Sequence, residues 1–166
     1  MAAVLSREGL RFLYRSEEGE IGRRLWWLGL VPLASLLVAM TAVWLALRPY
    51  AGRGLDERAF LDPLTAAAYG FLVLYAFAIL IASVCFVMLS MKRLRDRRRP
   101  VALAGLAPLA ALIAGAAHWL EPQMGGAFPL WAVYACDATL LAALAWTIVE
   151  LGALKGEQET QTQEEG

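Results

Sequence analysis

Four stretches of this 166-residue chain run for about twenty residues or more almost without charge, and they constrain its fold more than any other feature. They cover residues 25–47, 65–90, 101–119 and 128–151. A bilayer core about 30 Å thick is crossed by roughly 20 apolar helical residues, so each run is long enough to span it. The first two carry no charge, the third ends next to His118, and the fourth contains Asp137 and, near its end, Glu150. With 60% of residues apolar and 18% charged, the chain has too little polar material to solvate a globule. Soluble domains sit near 45–50% apolar and about 25% charged. A soluble globular enzyme, a disordered protein and a disulfide scaffold are excluded. The predicted fold class is all-α: a four-helix transmembrane bundle forming one membrane domain over residues 1–154, with a short N-terminal amphipathic helix on the cytoplasmic side.

The first run follows a 24-residue polar segment, exceeds the length of a signal-peptide core, and lacks a small-x-small cleavage site. It is expected to remain as a span. Orientation follows from basic residues in the short loops. Arg7, Arg11, Arg15, Arg23 and Arg24 precede the first span. Lys92, Arg93, Arg95, Arg97, Arg98 and Arg99 form a basic loop between the second and third, and Lys155 follows the fourth. The opposite side has only Arg48, Arg53 and Arg58, so twelve basic residues face three. Both termini are expected in the cytoplasm, as an even number of spans requires.

Arg7, Arg11 and Arg15 recur at i, i+4 and i+8 of a predicted N-terminal helix, with Leu5, Phe12 and Leu13 on its far side. That helix either lies on the leaflet surface or packs on the bundle. Trp26 and Trp27 fall at the inner interfacial belt, and Trp119, Phe128 and Trp131 at the outer one. Ala107, Ala111 and Gly115 recur every four residues and predict a close-approach face on the third span. Pro32 and Pro108 are expected to bend their helices without breaking them. Residues 155–166 have no apolar anchor and read as a disordered cytoplasmic tail. Cys85 and Cys136 lie at different depths, too far apart to bridge, and no Cys or His pair has ligand spacing, so no disulfide, metal or other cofactor is expected.

Asp137 is the polar candidate inside the membrane. A carboxylate there costs several kcal/mol unless paired or protonated. Two readings stay open: an ion, proton or substrate site, or a neutral acid bonded to Ser35, Thr41, Tyr69 or Tyr75. His118 with Glu121 reads as a pair near the outer surface, and Glu150 is expected to bridge to the arginine loop. No Gly-rich phosphate loop, Ser–His–Asp set or paired acids at catalytic spacing occurs, so the chain is expected not to be an enzyme. Its zero net charge gives no case for nucleic acid.

Two stretches carry a family resemblance. Residues 19–27 read G-x-I-x-R-R-x-x-W, using Gly19, Ile21, Arg23, Arg24 and Trp27, and Arg93-Leu94-Arg95-Asp96 reads R-L-x-D. Together they resemble the bacterial inner-membrane family called domain of unknown function 805, over roughly residues 10 to 150. Here Glu20 stands where the family usually has Arg, Arg95 where it has His, and Arg98-Arg99-Pro100 in place of a Gly-x-Ser-Gly stretch. The resemblance implies a small inner-membrane protein with four spans and no assigned activity. It also suggests that Arg23 or Arg24 pairs with Asp96, clamping the N-terminal segment to the central loop.

The expected function is binding or scaffolding, with the basic cytoplasmic face meeting anionic lipid, a membrane-protein partner or another copy of the chain. The alternative is a small transporter or permeation subunit using Asp137.

Overall fold

The computed structural model describes residues 7–15, 18–51, 62–124 and 128–156, and they form five α-helices with no strand among them. Helix α1 covers Arg7–Arg15, α2 Arg23–Ala51, α3 Pro63–Asp96, α4 Leu106–Gln123 and α5 Leu130–Thr147. A 3₁₀ turn, Val101–Gly105, leads into α4, and a π-helical turn, Ile148–Ala153, ends α5. The four apolar runs are therefore helices, each long and apolar enough to cross a membrane.

Helix α3 starts where covalent chemistry favours it. Asp62 caps the helix by accepting from the Thr65 N–H and hydroxyl, and Pro63 occupies the first position, where a missing N–H costs nothing. It ends in a Schellman motif. The Arg98 N–H donates to the Arg95 carbonyl and the Arg99 N–H to the Leu94 carbonyl, each at 2.9 Å. The left-handed position of that motif, usually glycine, is held by Arg98 at φ 49°. Pro100 then prevents continuation. Helix α2 is unbroken through Pro32, and α4 accommodates Pro108 in its first turn.

At about 1.5 Å rise per residue, the 34 residues of α3 extend well beyond a bilayer core. The excess is its last two turns, and this corrects one expectation. The basic segment after the second span is not a loop: Lys92, Arg93 and Arg95 lie within α3, and only Arg97–Pro100 is non-helical.

Helix α2 packs along α3 and α4 along α5, giving two hairpins. They join chiefly at the end that carries Arg7 and Gly156, where the 3₁₀ turn packs on α3 and the π turn on α2. We call this the basic end. Between the hairpins lies an apolar crevice of about 220 Å³, bounded by residues including Leu37, Phe86, Pro108 and Leu144.

The chain's buried apolar cluster also sits at the basic end: Leu13, Ile21, Trp26, Leu89, Leu94, Ala104 and Leu151. Along the spans, by contrast, large apolar side chains such as Val38, Phe77, Leu112 and Leu141 are exposed. Lipid tails are as apolar as leucine, so hydrophobic burial is driven only where helices emerge into water. Trp26 belongs to this core and is fully buried, so it is not a belt residue. Its neighbour Trp27 remains partly exposed, as do Trp119 and Trp131 at the far end.

Helices α4 and α5 meet on small residues, but not on the stripe with a four-residue repeat. Ala107, Ala110, Ala114 and Ala117 are buried, whereas Ala111 and Gly115 are exposed. A Cβ added at Gly115 would meet nothing within 4 Å. Steps alternating between three and four residues track one face of a helix in left-handed packing, whereas a pure four-residue repeat drifts off it. Cys85 and Cys136 are free thiols.

Candidate functional site: a buried ionic knot at the basic end

The last turns of α3 present a sequence that ought to resist burial. Leu89, Ser90, Lys92, Arg93 and Leu94 are wholly buried and Asp96 nearly so. Two cations out of water cost several kcal/mol each unless their donors are matched. Each finds partners on segments distant in sequence.

Lys92 points toward α1. Its Nζ donates to the carbonyls of Phe12 and Leu13, the latter at 3.0 Å, and lies 4.5 Å from the centre of the Phe12 ring. These two carbonyls belong to the last turn of α1, where intrahelical N–H donors run short. Tyr14 adds a second tie, its hydroxyl donating to the Gly29 carbonyl of α2 at 2.8 Å. Lost solvation, with a smaller contribution from nearby Cys85, raises the Tyr14 pKa above its ordinary value, which keeps the phenol a donor. Leu13 is buried, while Arg11 and Arg15 are exposed. Helix α1 is thus packed against α3.

Arg93 points toward the end of α5. Its Nε donates to the Leu151 carbonyl at 3.1 Å, Nη2 to Leu154 at 2.6 Å, and Nη1 to Ile21 at 3.5 Å. Nη1 also pairs with the Asp96 carboxylate one turn later. A π turn leaves its last carbonyls without intrahelical donors, and a rigid guanidinium fork can satisfy several of them at once.

The capping continues along the backbone. The Gly152 carbonyl accepts from Trp27 Nε1 at 3.0 Å, Ala153 from Arg23 Nη1 at 3.1 Å, and Lys155 from Arg97 Nη1. Five consecutive carbonyls, from Leu151 to Lys155, are therefore held by side chains of α2, α3 and the turn after α3. Glu150, just before them, accepts from Arg97 Nη2 at 3.2 Å and Arg99 Nε at 3.0 Å. That is the bridge expected from sequence. Gly156 follows, buried against Asp96 and Arg93 so closely that no side chain would fit. The segment expected to be disordered from residue 155 is thus fixed through Gly156; residues 157–166 lie outside the described set.

The positions singled out by the two motifs converge here. Gly19 adopts φ 105°, and a Cβ on it would stand 2.8 Å from the Phe12 ring. Ile21 and Leu94 fill the core, and Arg23, Trp27 and Arg93 cap the final carbonyls. Arg24 is exposed. The N-terminal segment is tied to α3 by Lys92 on the Phe12 and Leu13 carbonyls and by Arg93 on that of Ile21, with Asp96 against Arg93, in place of the expected ion pair of Arg23 or Arg24 with Asp96. Sequence reading missed that the acceptors would be carbonyls. A usable signal was the pairing of two Arg-rich motifs with a final helix that has neither a basic last turn nor a helix-ending Gly before residue 152.

Asp137 lies elsewhere, in the α4–α5 hairpin. His118 Nε2 is 3.0 and 3.1 Å from its two carboxylate oxygens. The side chains remain 61% and 37% exposed. The partners considered from sequence are otherwise engaged: Thr41 bonds Tyr75 at 2.7 Å, Ser35 bonds the Val31 carbonyl, and Tyr69 the Ala51 carbonyl. His118 was predictable from hairpin arithmetic. It stands five positions before the end of α4 and Asp137 seven after the start of α5, so antiparallel helices bring them level. They lie about 8 and 10 Å from the far ends of their helices.

No curated protein and no solved structure matches this chain. A family model does, described as "Protein of unknown function (DUF805)", over residues 14–162. Both Arg-bearing motifs and the carbonyls they cap fall within that match.

Proposed function

The chain belongs to the DUF805 family of proteins of unknown function, and we propose that it is a non-enzymatic binding protein of the bacterial inner membrane. Its basic end faces the cytoplasm and engages anionic headgroups. One observation carries this reading: Arg11, Arg15, Arg24, Arg98 and Arg99 are exposed together at the basic end, against Arg48 alone among the described arginines toward the far end. Each basic residue near an anionic surface contributes about 1 kcal/mol, so five suffice for stable attraction without a pocket. Cytoplasmic placement follows from the same bias.

Co-flotation tests it. The protein is held in nanodiscs of neutral lipid and offered vesicles containing phosphatidylglycerol. Binding is expected at low salt, and is expected to vanish with Arg11, Arg15 and Arg98 replaced by Gln, because surface attraction is screened over a Debye length. Unchanged binding by that variant refutes the lipid reading. No vesicle binding, with a protein co-purifying on the same arginines, assigns the face to a partner.

A second reading rests on the His118–Asp137 pair, a half-exposed imidazole–carboxylate couple inside two apolar helices. Intramembrane ionisable groups commonly mark ion or proton paths. In this reading the chain is a permeation subunit, and reconstituted vesicles show a proton or solute flux that Asp137→Asn abolishes. If flux is absent or survives the substitution, the pair is an interhelical tie.

A further inference from the structure

Beside the capped carbonyls, on the outer face of α2, runs a groove of about 720 Å³. Its walls are Arg23, Arg24, Trp27, Leu28, Val31 and Pro32, with the backbone of Gly152 closing one side. Chemistry changes along its length. Two guanidinium groups stand at the mouth; an indole follows one turn in; only aliphatic carbon lines the deeper part. The helical rise from Arg24 to Pro32 is about 12 Å.

Two features fix this shape. Gly152 cannot carry a side chain, since a Cβ would meet the Trp27 ring at 2.7 Å, so the indole that walls the groove packs directly on its backbone. Trp27 and Arg23 are held by their bonds to the Gly152 and Ala153 carbonyls, which orients the ring and one guanidinium instead of leaving them to sample solvent. Preformed geometry of this kind lowers the ordering cost of binding.

We propose that this groove holds a single anionic phospholipid, its phosphate between Arg23 and Arg24, its glycerol beside Trp27, and the start of an acyl chain along Leu28, Val31 and Pro32. A soluble anion would use only the mouth, and a neutral lipid only the floor. Charge and apolar surface in this order fit a molecule with both. The assignment rests on the anionic-lipid reading above but names one site, distinct from the diffuse attraction of Arg11, Arg15 and Arg98.

Native mass spectrometry of the full chain, released from vesicles of mixed phosphatidylglycerol and phosphatidylcholine, tests it. One phosphatidylglycerol per chain is expected to survive release, in preference to phosphatidylcholine. Arg24→Gln should lower retention about fivefold. Val31→Trp, which fills the groove without touching charge, should abolish it. Replacing Arg11 and Arg15 by Gln should leave retention unchanged while weakening co-flotation, which separates failure of the site from failure of the general reading. The site is refuted if phosphatidylcholine is retained equally, if Val31→Trp retains lipid like the parent chain, or if inorganic phosphate displaces the bound molecule. Retention appearing only after Glu157, Glu159, Glu164 and Glu165 are changed to Gln would give the groove to the chain's own acidic end.

Discussion

Arg93 shows why a charge can sit at full burial in a protein this apolar. Its guanidinium meets three carbonyls and one carboxylate, so nearly every N–H it carries has an acceptor. Removing one member of such a set leaves the others desolvated and unmatched, at a cost of about 3–5 kcal/mol. Arg93→Lys is therefore expected to behave like Arg93→Gln in thermal unfolding in detergent, because one ammonium cannot reach Leu151, Leu154, Ile21 and Asp96 together. Asp96→Asn should destabilise by a comparable amount by removing the counter-charge. If Arg93→Lys melts like the parent protein, the fork geometry is not what matters there. The motif spacing marked Arg93, Leu94 and Asp96 from sequence, but their roles were not legible. An R-L-x-D run beside a membrane span reads as a solvated topological signal until its acceptors are known, and those acceptors are main-chain atoms about 60 residues away.

At the level of elements, the four spans were legible because length and charge alone define them, and the helices overshoot the apolar runs by only a few residues at most ends. What escaped was α3 continuing through its basic end, since local composition there is that of a loop and only tertiary carbonyls stabilise it as helix. The packing face of α4 escaped for a different reason. Alanine is so frequent in 101–119 that several stripes fit, and the choice depends on the crossing geometry with α5. The two candidates differ in a measurable way. Ala114→Leu inserts volume into the buried α4–α5 contact and should cost about 1–3 kcal/mol in unfolding from detergent. Gly115→Leu places the same side chain where nothing lies within 4 Å and should be neutral or mildly stabilising, since leucine favours helix more than glycine does. A reversal of these two outcomes would restore the four-residue stripe.

Taken whole, the molecule divides its forces by depth. Where lipid surrounds it, helices touch through small residues and a few polar ties, such as Thr41 with Tyr75 and His118 with Asp137. Where it emerges at the basic end, a water-driven core and a capped backbone join the hairpins. Its charge follows the same axis, so orientation is the property on which any use of the basic face depends. A basic end facing outward would meet neither the anionic leaflet nor a cytoplasmic partner. Single cysteines placed in a background with Cys85 and Cys136 changed to Ala can decide it. Arg15 is exposed at the basic end and Met124 at the far end. With an impermeant maleimide on intact spheroplasts, Met124→Cys should label immediately and Arg15→Cys only after the membrane is opened. The energetic reason is the retention of Lys and Arg on the cytoplasmic side during insertion, counted over segments close to the spans. The opposite labelling pattern would turn the molecule over, and the arginine cluster would then have to be explained by a partner outside the cell membrane.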